Sequence, residues 1–188
     1  SNGGSVELSA DDSWVKKPDV AVVVFGEEPY AEGVGDIESL MYRDGHQADL
    51  ELLKSLKAKN IPVVAVFLTG RPLWMNAELN SSDAFVVAWL PGSEGVGVAD
   101  VMVADSAGKA RYDFTGRLSF DWPNSELNRT DGALPVSDLL LTRGQGLSYG
   151  DAEIIADKLN EKPLIDASKA ARVVFSGSAR PPFKTYVG

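Results

Sequence analysis

The acidic side chains are the residues of this sequence that could carry chemistry. Glu94 stands in the turn-forming string PGSEG (residues 91–95), directly after an apolar run that contains Trp89. A carboxyl group near apolar or like-charged neighbours keeps its proton more readily and can act as a general acid at neutral pH. The same residue could instead lie in the first turn of a following helix, where a carboxylate favours the helix dipole. Spacing alone leaves both interpretations open.

A second group of carboxylates lies in the first half of the chain. Eight acidic residues and one arginine lie between Glu27 and Glu51. This pattern is typical of a solvated loop followed by a helix face, or of a rim whose carboxylates accept hydrogen bonds from a polyhydroxylated substrate. A bidentate contact from Arg71 to one of these carboxylates would hold two neighbouring loops together.

Composition excludes several other kinds of chemistry. The 188 residues include no cysteine and one histidine, His46, which excludes a disulfide framework, a thiolate nucleophile and a His-rich metal site. A net charge of −9 argues against binding nucleic acid. No apolar run approaches the roughly 18 to 20 residues of a membrane span. The glycines around Gly95 fit neither G-x-G-x-x-G nor a P-loop, so we expect no nucleotide, metal or other cofactor.

The elements that must position these residues follow from the apolar pattern. Continuous β-branched runs predict three strands buried on both faces, at residues 19–25, 61–68 and 84–90. Leucine spacing predicts an amphipathic helix over 47–59, and small apolar residues predict another over 95–104. This alternation predicts a parallel α/β sheet, in which ligands bind beyond the carboxyl ends of the strands. The loops after the three strands should therefore face one crevice.

The second half of the chain is less regular. Alternating side chains over 116–122 predict a half-exposed edge strand ended by Pro123, and residues 124–148 read as a long surface loop. Further predictions are a short helix at 151–159, a strand at 171–175 and a linker at 176–183. Trp74, Trp89 and Trp122 are expected to lie in the core.

Five ordered strings resemble the C-terminal α/β sandwich domain of glycoside hydrolase family 3, and its exo-β-glucanases and β-glucosidases in particular. The resemblance covers roughly residues 18–150. The strings are VVVFGEEPYAEGVGD, PVVAVFLTGRPLW, AFVVAWLPGSEGVGVADVM, FTGRLSFDWP and GQGLSYG, at residues 22–36, 62–74, 84–102, 114–123 and 144–150.

The resemblance implies a three-layer α/β sandwich with a mostly parallel sheet, formed by residues 19–150 and incomplete at its N-terminus. Residues 1–18 would be a leader, partly disordered or left over from a preceding segment. Residues 151–188 would be an extended C-terminal tail or a linker toward another module.

The resemblance also implies a function. The parent would be a retaining exo-β-glucosidase that removes glucose from the non-reducing ends of β-glucans or cello-oligosaccharides. Glu94 matches the family's general acid/base, whereas the aspartate nucleophile belongs to an N-terminal (β/α)8 barrel partner that these residues lack. We therefore expect this chain to be inactive alone, and its parent to be periplasmic or secreted. Expected sugar-binding residues are Glu27, Glu28, Tyr30, Glu32 and Arg71, for which turn or rim stabilisation is the structural alternative.

Two alternatives stay open at this point. The domain could be a non-catalytic part of the same enzyme that binds carbohydrate or supports the barrel. It could also be an unrelated flavodoxin-like domain for a small ligand, which flavin absorption or tight nucleotide binding would reveal.

Overall fold

The computed structural model describes residues 4–10, 13–37, 39–42, 47–127, 136–152, 155 and 158–164. His46, the predicted strand at 171–175 and the predicted linker at 176–183 lie outside these residues. The longest helix in the described part of the chain has 11 residues, and no helix there could cross a membrane.

A three-stranded parallel sheet forms the centre of the fold and confirms the predicted α/β architecture. Its strands lie in chain order, which two successive crossover connections produce. Helices alternate with these strands along the chain. The elements are β1 (Ala21–Gly26), α1 (Ala48–Ala58), β2 (Val63–Leu68), α2 (Asn76–Asn80), β3 (Ala84–Trp89) and α3 (Gly95–Met102).

The core lies between α1 and one face of the sheet. Phe25 of β1 pairs in register with Phe67 of β2, and both rings are buried on that face. Their centroids are 5.6 Å apart. Leu53 and Leu56 of α1 pack into the same cluster, as the leucine spacing predicts. This packing fixes the height of β1 relative to β2, and therefore the relative position of the loops that follow them.

The end of α1 shows why the helix stops where the sequence predicts. Asn60 has a positive φ of 54°. Its backbone N–H donates to the Lys57 carbonyl, and the N–H of Ile61 donates to the Leu56 carbonyl. These two bonds form a Schellman motif, which satisfies the last carbonyls of the helix and turns the chain toward β2.

The opposite face of β1 differs from the prediction of strands buried on both faces. Val22 and Val24 are 52% and 61% exposed, and Val20 just before the strand is 49% exposed. Val66 of the central strand is buried on that face. The difference arises because β1 is an edge strand of the described sheet and α1 packs on the other face, where its leucines meet Phe25. Residues 20, 22 and 24 are called the valine face below.

A second, smaller sheet corrects two predictions for the second half of the chain. The predicted strand over 116–122 reduces to β4 (Trp122–Pro123), which ends at Pro123 but begins only at Trp122. Its antiparallel partner β5 (Leu139–Leu141) falls within the predicted surface loop. Of the apolar residues in the alternation at 116–122, Trp122 is buried and Phe120 is exposed, while the backbone of Leu118 bonds to the backbone of the 144–145 turn.

Both ends of the described chain contact this core. Trp14 packs against the core cluster, and Lys59 Nζ lies 4.8 Å from the centroid of its ring. Near the other end, the side-chain amide of Asn80 in α2 donates to the Leu159 carbonyl and accepts from the Leu159 backbone N–H, both at 2.9 Å. The described residues of the predicted helix at 151–159 are not helical. Residues near Leu159 are thus attached to α2, although the boundary at residue 150 stays a prediction.

Candidate functional site

Loops from all three parallel strands meet at the carboxyl edge of the sheet. The loop after β1 begins at Glu27, whose backbone N–H donates to the Leu68 carbonyl at 3.0 Å. The loop after β2 begins at Thr69, whose N–H donates to the Trp89 carbonyl at 3.1 Å. Each loop is therefore tied to the next strand, as expected for a ligand site at such an edge.

Glu27, Thr69 and Arg71 form a hydrogen-bonded cluster between the first two loops. Arg71 Nε donates to Glu27 Oε1 at 2.8 Å, and the Thr69 hydroxyl lies 2.6 Å from Glu27 Oε2. Thr69 is fully buried, and the side chains of Arg71 and Glu27 are 21% and 13% exposed. The predicted pairing of Arg71 with a carboxylate is confirmed. The contact is not bidentate, because Thr69 occupies the second carboxylate oxygen.

Tyr30 covers one side of this cluster with its ring. The Arg71 guanidinium lies 4.0 Å from the centroid of the Tyr30 ring, a cation–π arrangement. Arg71 Nη1 also donates to the Gly35 carbonyl. A methyl group on Gly70 would come within 2.7 Å of the Tyr30 hydroxyl. Tyr30 therefore lies against the backbone of Gly70, where a side chain would collide with its hydroxyl.

The third loop leaves the sheet through an irregularity in β3. Phe67 pairs with Val87 but the next residue, Leu68, pairs with Trp89, so Ala88 is an extra residue on β3. Trp89 has a positive φ of 55°, an unusual conformation for a bulky side chain. Bulges beside active sites turn the chain and aim the residues that follow. Here the bulge and the positive φ of Trp89 lie at the end of β3, directly before the loop that carries Glu94.

Glu94 lies at the end of that turn, immediately before α3. Its backbone N–H donates to the Pro91 carbonyl at 2.8 Å, and Gly92 has a positive φ of 54°. Ser93 Oγ donates to Glu94 Oε1 at 2.9 Å. The side chain is exposed. Glu94 is the residue directly before the first turn of α3, and its side chain makes no capping hydrogen bond there. Its exposed position lacks the apolar surroundings that the sequence interpretation of a general acid assumed, so the catalytic role stays a prediction.

The structure divides the predicted site residues into two groups. Glu27, Tyr30 and Arg71 are brought together, since Arg71 bonds to Glu27 and its guanidinium lies over the Tyr30 ring. Glu28 and Glu32 are exposed on the same loop as Glu27. Thr69 joins this cluster without having been predicted, although a threonine between a buried strand and Gly-Arg is a signal that the sequence contains. No group of three or more residues able to hold a metal ion occurs within the described ranges.

Comparison with known proteins identifies the family to which this chain is similar. The profile of the glycosyl hydrolase family 3 C-terminal domain matches residues 5–149. The periplasmic beta-glucosidase of Salmonella typhimurium is 32% identical over 123 residues, which make up 64% of this chain and 14% of that protein.

Solved structures give the same result. The exo-1,3/1,4-beta-glucanase from a Pseudoalteromonas species superposes with a TM-score of 0.78 at 53% identity, over 86% of this chain and 20% of that one. The beta-glucosidase from Listeria innocua superposes with a TM-score of 0.52 at 25% identity, over 70% of this chain and 20% of that one. These relatives are glycoside hydrolases, and the chain spans a fifth of their length or less.

Proposed function

Because the chain belongs to glycosyl hydrolase family 3 through that family's C-terminal domain, we propose that it supplies Glu94 as the general acid/base of an active site that cleaves β-glucosides. The observation that carries this proposal is the position of Glu94. Its exposed carboxylate follows a bulge and a tight turn at the carboxyl edge of the sheet, the edge from which the two other loops also leave. The β-glucosidases and the exo-glucanase among the relatives support this substrate class.

The rest of the active site comes from a partner domain. C-terminal domains of this family normally accompany an N-terminal barrel domain. We propose that an aspartate on the barrel attacks the anomeric carbon while the Glu94 carboxyl donates its proton to the departing glycosidic oxygen. The resulting Glu94 carboxylate then takes a proton from water, which hydrolyses the glycosyl-enzyme. This retaining mechanism requires the two carboxyl groups to be about 5 to 5.5 Å apart.

The surrounding residues have different proposed roles. Glu27 and Arg71 hold the first two loops together, since their polar atoms are already paired. Glu28 and Glu32 are exposed, and we assign to them contacts with the sugar hydroxyls at the rim. Tyr30 has one ring face against Arg71 and could present its outer edge to the same sugar.

The substrate and location follow the relatives. We propose that the parent acts from the non-reducing ends of β-glucans or cello-oligosaccharides, as the exo-glucanase name supports. A periplasmic or secreted location is proposed from the periplasmic relative. The 188-residue chain alone should not hydrolyse an aryl β-glucoside. Hydrolysis by the purified chain that Glu94→Gln abolishes would overturn that expectation.

The test uses the protein that contains both this chain and its barrel. Glu94→Ala should lower kcat/KM for substrates with poor leaving groups by about 10²- to 10⁴-fold. An activated dinitrophenyl β-glucoside needs little protonation, so its glycosylation step should change much less. Azide should restore turnover of the activated substrate and yield a glucosyl azide that retains the β-configuration.

Glu51→Ala is the matched control, because Glu51 is an exposed carboxylate that belongs to α1 and to none of the three loops. It should leave all of these kinetics unchanged. If Glu94→Ala leaves the kinetics unchanged while Glu28→Ala or Glu32→Ala sharply lowers kcat/KM, the general acid lies on the first loop instead. Unchanged kinetics in all of them would favour the supporting, non-catalytic role of the domain.

A further inference from the structure

A groove at the opposite end of α3 from Glu94 has no role in the proposed reaction. It has a volume of about 620 Å³ and is lined by Met102 of α3, by Tyr149 and by a hairpin-like segment over residues 104–113. The segment is closed by an antiparallel bridge between Ala104 and Ala110. A volume of this size lies within the range of small-molecule sites, about 300 to 1,000 Å³.

Two tyrosine rings line this groove while keeping much of their surface in water. Tyr112 is 59% exposed and Tyr149 is 55% exposed. Tyr149 is held in place because its hydroxyl donates to the Val101 carbonyl and its ring packs 5.4 Å from that of Phe114. A fixed, exposed aromatic ring offers a flat apolar surface at little cost in conformational entropy.

The charges around the groove are balanced. Arg111 pairs with Asp100 at 2.9 Å. Asp113 accepts hydrogen bonds from backbone N–H groups, including that of Tyr149 at 2.8 Å. With Lys109 the four side chains sum to no net charge, so the groove does not favour a strongly anionic or cationic ligand. It combines apolar rings with hydrogen-bonding groups, which suits a neutral polyhydroxylated ligand.

We propose that this groove binds a segment of the β-glucan chain, with the apolar face of a glucosyl ring against Tyr112, the more exposed of the two rings, and the sugar hydroxyls toward Arg111, Lys109 and Asp113. The substrate class in this inference rests on the proposed function. The eight residues of α3 span about 12 Å. A single glucosyl unit beside Glu94 therefore cannot reach the groove, whereas a polysaccharide can be held there.

The test compares a polymer with a small substrate in the full-length protein. Tyr112→Ala should weaken retention in native gels that contain soluble 1,3/1,4-β-glucan by about tenfold, as expected for the loss of one ring contact. Hydrolysis of an aryl β-glucoside should stay within about twofold of the parent. Tyr112→Phe keeps the ring and should retain the glucan. Leu8→Ala is the control, because Leu8 is 98% exposed and lies outside the groove lining.

The outcomes separate this inference from the proposed function. Full glucan retention by Tyr112→Ala would overturn the groove site, as would equal losses on the polymer and on the aryl glucoside. Arg111→Ala is the second variant should Tyr112→Ala not fold, and it should also weaken retention. Failure of the proposed function would appear instead as normal hydrolysis by Glu94→Ala, a result that leaves the glucan retention data unaffected.

Discussion

Arg71 donates its Nε–H to Glu27 Oε1 over 2.8 Å, although the two residues are 44 positions apart in the sequence. The register of the sheet explains this contact. Gly26 pairs with Leu68 at the ends of β1 and β2, so the first loop residues after each strand emerge side by side. The ion pair therefore joins two of the three loops that surround the proposed site.

Replacing Arg71 with lysine should show what this cluster contributes. Lysine keeps the positive charge, but it lacks the planar fork that bonds Glu27 and the Gly35 carbonyl from separate nitrogens, and it cannot stack as a plane on Tyr30. We expect Arg71→Lys to lower the free energy of unfolding by about 2 kcal/mol, measured by urea denaturation. Arg111→Lys is the control, since the Arg111 side chain is 53% exposed and its ion pair should contribute under about 1 kcal/mol. Equal losses would mean that the cluster is only a surface contact.

Gly26 should tolerate no side chain at the point where β1 ends. An added methyl group would lie 2.4 Å from the Leu68 carbonyl oxygen and 2.6 Å from Leu68 Cβ. We expect Gly26→Ala to destabilise the fold by about 1 to 3 kcal/mol in urea denaturation, because backbone has to move. The same change at Gly33 meets nothing within 4 Å, so Gly33→Ala should be neutral or slightly stabilising. A neutral Gly26→Ala would contradict the close approach of the two strands.

Glu78 on α2 makes stability depend on pH. Burial raises the pKa of its carboxyl from 4.5 to about 6, and the nearby carboxylates of Asp49 and Glu161 add to the rise, against its own backbone N–H and Lys54. Between pH 4.5 and about 6, the folded protein therefore keeps a proton on Glu78 that the unfolded chain has largely released. The free energy of unfolding should therefore fall as pH rises from about 4.5 to 6.

The variant Glu78→Gln removes this titration. At pH 7.5 its free energy of unfolding should exceed that of the unmutated protein by about 2 kcal/mol, since one pKa unit corresponds to about 1.4 kcal/mol. At pH 4 the two proteins should differ little, because Glu78 is then protonated in both states. Glu51→Gln, at an exposed position on α1, is the control. A difference that stays constant from pH 4 to 7.5 would show that burial of the charge is not the cause.

Asn60 offers a stabilising change at the end of α1. Its φ of 54° lies in the left-handed region, which glycine adopts without steric cost. We expect Asn60→Gly to raise the free energy of unfolding by about 0.5 to 1 kcal/mol and Asn60→Ala to lower it by about 1 kcal/mol, both measured by urea denaturation. If both substitutions acted in the same direction, the Schellman geometry would not control this helix end.

The sequence was most informative where one physical effect dominated. Continuous β-branched runs predicted all three parallel strands, and the leucine spacing predicted α1 within one or two residues. The alternation over 116–122 contains one buried side chain, Trp122, whereas Phe120 is exposed, and no strand forms before Trp122. Strand formation also requires a neighbouring backbone, and β5 offers one only at Trp122–Pro123.

The candidate site was predictable in outline but not in detail. A basic residue after β2 beside a run of carboxylates indicated an ion pair, yet Glu27, Glu28 and Glu32 were equivalent candidates. Sheet register selects Glu27, and register depends on packing between distant segments. The bulge at Ala88 had no sequence signal, because the apolar run continues through Trp89 without a glycine or a polar break.

The valine face affects how the 188-residue chain behaves when it is purified by itself. Val22 and Val24 form an apolar stripe on a strand at the edge of the described sheet, an arrangement that favours self-association. Concentrated preparations should therefore show attractive colloidal behaviour, with light scattering that increases with ionic strength as the −9 net charge is screened. Threonine at positions 22 and 24 would keep the β-branched shape that the strand needs while making that surface wettable.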